Sequence, residues 1–126
     1  MGRITQRVDP ESIADDLERR GRAAVAFVVE GRIEALPAKV IRRDDLYVGL
    51  DPSALPAGIA FDRATLILDD GSFWFDLRAM NLRGSMLPAD HPPDDPSAPD
   101  GLAWFVFRAE RETAWYYGSL REESEQ

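Results

Sequence analysis

Beyond Gly21 the chain carries no helical period; it breaks into short apolar runs, each closed by turn residues. Such a pattern builds a core by pairing strands that are neighbours in sequence. Ala23 to Val29 is a nearly continuous apolar run rich in valine, as a buried strand would be, and Glu30-Gly31 reads as a tight hairpin turn. Arg32 to Ile41 follows as a second strand. Pro37 lies inside it and cannot donate a ladder hydrogen bond, so it marks an edge, a bulge or a stretch of open backbone. Asp44-Asp45 turns the chain into a third strand, Leu46 to Leu50. Pro52, Pro56 and Gly58 then interrupt the rhythm between Asp51 and Arg63, where a short helical or irregular connection is expected. Thr65 to Leu68 is a fourth strand, Asp69 to Ser72 a turn, and Phe73 to Met86 a strand long enough to bend. Five of the nine prolines crowd Pro88 to Gly101, a surface loop. Leu102 to Arg108 and Thr113 to Gly118 close the pattern on either side of Ala109-Glu110-Arg111-Glu112, and a frayed, charged tail spans 121–126.

The one helical stretch comes first. Asp9-Pro10-Glu11 supplies a cap, a proline in the first helical position and an acid in the first turn. Ile13 and Leu17 share a face, and Arg19-Arg20-Gly21 supplies positive charge and a stop. One amino-terminal helix followed by about six strands predicts a mainly β domain over residues 1–126: an antiparallel six-stranded barrel, closed so that its edges are hidden.

Composition narrows the function classes. With 126 residues the chain can bury a core, and the absence of cysteine excludes disulfides, thiolate metal sites and cysteine nucleophiles. The formal net charge is -8, and the 15 basic residues, Lys39 and arginines, are scattered as singles and pairs, so no nucleic-acid partner is expected. No apolar run reaches the length of a membrane span and no secretory leader is visible, so the expected location is cytoplasmic. His91 has no sequence neighbours of metal-ligating type at a useful spacing, and the acids around it lack the calcium-loop pattern, so no metal is expected.

In this order of elements, the chain resembles the split-barrel superfamily of pyridoxamine 5′-phosphate oxidase-like proteins. The pieces that carry the resemblance are Glu30-Gly31-Arg32 with Leu36-Pro37-Ala38, then Asp44-Asp45-Leu46-Tyr47-Val48. They continue with Phe75-Asp76-Leu77-Arg78-Ala79 through Arg83-Gly84, and Phe107-Arg108 with Ala114 to Leu120. The resemblance implies a homodimeric split β-barrel that binds flavin mononucleotide (FMN), or in some branches a deazaflavin coenzyme, and transfers hydride to or from a small molecule. It implies that Leu36, Pro37, Ala38 and Lys39 face the flavin ring. Ser53 stands for the hydroxyl that meets the cofactor phosphate, with Arg63 as a replacement cation, and Trp115 stacks on a ring bound by the second subunit. The lysine expected beside that hydroxyl is Leu55 here, and the acid of the closing strand is Tyr116. The resemblance names no catalytic side chain, because a flavin carries the hydride itself. A phosphate needs cations or several amide donors around it. The alternative is therefore a cofactor-free split barrel acting as a binding module. Lys39 could equally be a solvated strand lysine, and Trp115 a packing residue.

Overall fold

The computed structural model describes residues 6–56, 59, 61–71 and 78–116. The amino-terminal helix forms as its caps predict. It spans Pro10–Arg20 (α1), the Asp9 carboxylate accepts from the Glu11 N–H, and the Gly21 N–H closes the last turn on the Leu17 carbonyl at 2.9 Å. Before it lies a short strand that its sequence does not announce, Gln6–Val8 (β1).

The remaining strands are Arg22–Val29 (β2), Arg32–Arg42 (β3), Leu46–Leu50 (β4), Phe61–Asp69 (β5), Arg78–Pro88 (β6) and Ala103–Tyr116 (β7). All pair antiparallel, in the order β7-β4-β3-β2-β5-β6, and β6 returns to β7. The result is a closed six-stranded barrel, with β1 paired to β7 beside it. The β2–β3 hairpin turns through Glu30 and Gly31, both at positive φ (50° and 78°), the backbone of a two-residue turn that matches strand twist.

Three expectations are corrected. The fourth strand begins at Phe61, ahead of Thr65, because an irregularity between Phe61 and Ala64 lets both side chains reach the core. Pro88 belongs to β6, opposite Phe105, so the loop begins one residue later. Leu102–Arg108 and Thr113–Gly118 are not separate strands: β7 runs unbroken through Ala109–Glu112. Those four residues look like a turn because they are charged or small, but here they form the exposed side of a strand held by β6. The extra residue is absorbed by a bulge, where Arg83 faces Arg111 and Gly84 faces Ala109. The expected strand residues 73–77 and 117–118, and the tail, lie outside the described residues.

Inside the barrel, Val25, Val48, Leu50, Leu66, Leu68, Met80 and Leu82 are almost wholly buried, and α1 packs Ile13 and Leu17 against them. Two ion-pair clusters tie the helix to the strands. Arg42 of β3 donates two hydrogen bonds to Glu18, whose side chain is only 5% exposed, and Arg78 of β6 bridges Asp16 of α1 and Asp70. Each carboxylate raises the pKa of the arginine it binds, chiefly through these hydrogen bonds. A second, smaller apolar cluster lies on the outer face. The loop after β6 folds back over Ile41, Tyr47 and Trp104, burying Pro93 and packing Ala89 and Ala98. No helix among the described residues is long and apolar enough to cross a membrane.

Candidate functional site

Side chains along β3 alternate. Leu36 and Ala38 pack against the barrel core, while Pro37 and Lys39 belong to the outer face. The β2 ladder covers this stretch residue by residue, pairing Leu36 with Val25, Pro37 with Ala24 and Ala38 with Ala23. The β4 ladder ends at Lys39 opposite Gly49, so the segment around Pro37 is paired on its β2 side alone. A proline inside a strand is tolerated at such a place, which is the open backbone that its sequence position suggests.

A cleft of about 420 Å³ opens beside that unpaired edge. Leu36, Pro37, Ala38 and Lys39 form one wall, Gly49 the floor, and Asp51, Ala54 and Leu102 the rest. Gly49 is required there by space. A Cβ at this position would come within 2.9 Å of the Leu102 side chain and of the Trp104 ring. The lone glycine in an otherwise apolar strand is the signal that could have found this floor, since strand glycines often mark a close approach.

Four of the seven expected site residues thus meet in one cleft, and Ser53 sits between two of its lining residues, Asp51 and Ala54. The other two do not join them. Arg63 is exposed on β5 and lines a different cavity, about 430 Å³, with Val28, Ile33, Thr65 and Arg83. It is carried there because β5 crosses over to pair with β2 rather than with β4. Trp115 is half-buried near the far end of β7, opposite Arg7 and Ala79, and lines neither cavity.

Local chemistry at the end of β4 is decided by Asp51. Its carboxylate accepts from the Ser53 hydroxyl at 2.8 Å and from the Ser53 N–H at 2.9 Å, capping a single 3₁₀ turn over Pro52–Ala54. These bonds, the hydroxyl first, hold the Asp51 pKa below the usual carboxylate range. Leu55, at the position of the expected lysine, packs against the core. The corner is acidic and aliphatic. Replacing Ser53 with alanine is expected to move the Asp51 carboxyl titration upward, toward the ordinary value. The contribution of this cap to the native state is present above the ordinary carboxylate pKa and is lost as pH falls through the lowered folded value. Carbon-detected NMR titration of Asp51 in both proteins reads the shift, and identical titrations would show that the hydroxyl is not its main cause.

Lys39 also borders a second, polar groove of about 360 Å³, lined by Asp15, Glu18 and Arg19 of α1, Arg42 and Arg43 of β3 and its turn, and Asp95 and Ser97 of the loop. Among the described residues no three or more His, Asp or Glu side chains come together as a metal site.

No protein-family model matches the chain, and no curated protein matches it in sequence. Solved structures match in shape. A protein from Corynebacterium glutamicum named as a candidate pyridoxamine 5′-phosphate oxidase superposes with a TM-score of 0.69 at 9% identity, over 91% of this chain and 94% of its own. The FAD-binding protein from Mycobacterium smegmatis gives 0.60 at 11% identity, over 88% and 96%. A FAD-binding protein from Mesorhizobium loti gives 0.63 at 13% identity, over 90% and 98%.

Proposed function

The chain has the split-barrel fold of pyridoxamine 5′-phosphate oxidase-like proteins, and from that premise we propose that it is a flavin-type oxidoreductase that binds its coenzyme in the β3–β4 cleft. The observation that carries this reading is the cleft itself. Its volume of about 420 Å³ falls within the range of small-molecule sites, roughly 300–1,000 Å³. It opens on a strand edge that β4 leaves unpaired, so backbone groups and apolar side chains are presented together. That is the set a flat ring with polar edges requires: Leu36, Pro37, Ala38 and Leu102 exclude water, the missing Cβ of Gly49 lets the Leu102 side chain close in beside them, and Lys39 offers an ammonium at the rim. Bound flavin would supply the hydride chemistry, so no side-chain nucleophile is needed. FMN is the first coenzyme to test and a deazaflavin the second.

Titration of the purified protein with FMN and with a deazaflavin, followed by quenching of ligand fluorescence, tests the reading. Saturable quenching at micromolar ligand is expected with one of them. Silence from both, well above micromolar, removes the oxidoreductase reading and leaves a cofactor-free binding module. The second reading has its own support in the Asp51–Ser53 cap and the core-packed Leu55, which leave the corner after β4 without a cation among the described residues.

The same reading makes the protein a homodimer. The middle outward residues of three adjacent strands form a patch without charge, between Arg22, Asp69 and Lys39 at one end and Arg63 at the other: Ile67 and Thr65 on β5, Ala24, Ala26 and Val28 on β2, and Ile33, Ala35 and Pro37 on β3. Val28 is 63% exposed and Ile33, directly opposite it, 80%. In a chain with 30% charged residues, an uncharged patch of this extent marks a contact surface. A second copy suits it because the patch is bordered by charges of both signs, Asp62 and Glu110 with Arg63 and Arg83, which a twofold axis can pair. Pro37 belongs both to this face and to the cleft, so the partner would wall the cleft's open side.

A further inference from the structure

The cleft and the polar groove meet at Lys39, which lines both. Most of the groove's charge is already paired. Arg19 binds Asp15 at 2.8 Å, and Arg42 binds Glu18 through both Nε and Nη2. Two cations and one acid remain: Lys39, Arg43 and Asp95. Lys39 makes no hydrogen bond or salt bridge among the described residues, although its charge reaches Asp95. Arg43 donates through Nε and Nη2 to the Asp94 carbonyl, at 3.0 and 2.6 Å, which leaves its Nη1 hydrogens without a partner among the described residues. Its contact with Asp95 is loose, 3.6 Å. Asp95 is instead held by the Ser97 hydroxyl and N–H at 2.6 and 2.8 Å. One positive charge is thus left over beside an apolar cleft, in a chain of net charge -8.

Resting on the flavin reading, we propose that the Lys39–Arg43 corner is the anion subsite of the cleft: the ligand lays its ring against Leu36–Ala38 and turns a phosphate over Lys39 toward Arg43. The end of β4, where Asp51 presents a carboxylate, is the wrong place for that phosphate. Asp95 competes for the same two cations, so the loop after β6 tunes the subsite through one carboxylate. The ligand class that follows is a flat heteroaromatic ring bearing a phosphate on a short arm, in preference to the same ring without it.

FMN and riboflavin share the ring and differ in the phosphate, so their affinity ratio isolates the subsite. The wild-type protein is expected to favour FMN about tenfold or more, the usual worth of a charge-assisted contact. Lys39→Met and Arg43→Met should each shrink that ratio toward one, Arg43→Met with riboflavin affinity unchanged, Lys39→Arg should keep it, and Asp95→Asn should widen it. Circular dichroism confirms that each variant is folded. The subsite is overturned if the wild type binds both ligands equally, if the ratio survives in both methionine variants, or if Lys39→Met weakens both ligands alike. If neither ligand binds the wild type, the flavin reading itself is gone and the subsite with it.

Discussion

Gly84→Ala is expected to destabilise the protein by about 3 kcal/mol or more, seen as a fall of roughly 1 M or more in the urea midpoint. A Cβ on Gly84 would stand 1.9 Å from the Arg108 carbonyl oxygen and 2.8 Å from its carbon. Both are backbone atoms of β7, so no side chain can swing away. Relief would require β6 and β7 to separate where Gly84 pairs with Ala109, at the bulge that closes the barrel. Gly101→Ala is the control. Gly101 has φ of 85° and none of the described residues lies within 4 Å of where its Cβ would stand, so its replacement tests backbone conformation alone and should cost only about 1 kcal/mol. Equal losses at the two positions would show that β6 and β7 are not pressed together at the bulge.

That bulge also marks the limit of what could be read in advance. The helix was legible because its signals are local: Asp9 caps it, Gly21 ends it, and Ile13 and Leu17 sit one turn apart. The β2–β3 hairpin was legible for the same reason, since Glu30-Gly31 is a turn by its own chemistry. By contrast, Ala109–Glu112 is a strand only because β6, more than twenty residues earlier, supplies its partner. No local propensity favours it. β1 is similar, three residues whose strand geometry exists only against the end of β7.

The candidate site divides along the same line. Leu36 to Lys39 are consecutive and are the stretch the resemblance implies, and Pro37 by itself announces an open edge, so that wall of the cleft lies in one piece of chain. Its other walls come from the end of β4, the turn after it and the residue before β7, which topology alone brings together. Arg63 shows the converse: it lies ten residues from Ser53 in sequence, yet β5 carries it to another cavity. Charge placement was the least legible part. Whether a lysine or an arginine is available to a ligand depends on which carboxylates have already bound its neighbours, and Glu18 and Asp95 reach β3 and its turn from two separate elements.

Ile33→Glu is expected to weaken self-association a hundredfold or more, because each buried and unpaired carboxylate costs about 3 kcal/mol or more. Ile33 is 80% exposed within one chain, so the fold itself should barely respond and its unfolding midpoint should stay close to wild type. In the proposed dimer it lies on the shared face, opposite Val28, and the bordering Arg63 and Arg83 are taken up by Asp62 and Glu110 in the twofold pairing, so its carboxylate would be buried among aliphatic side chains. Sedimentation velocity reads the association, and Leu87→Glu serves as the control. Leu87 is 54% exposed but stands on β6, paired with Val106, outside that patch, so its substitution should leave the dimer intact. Because the partner would wall the cleft beside Pro37, coenzyme affinity should fall together with the dimer in Ile33→Glu and stay unchanged in Leu87→Glu. A wild-type protein that sediments as a monomer well above micromolar concentration would end the two-subunit proposal. A dimer that survives Ile33→Glu would place its contact on some other face.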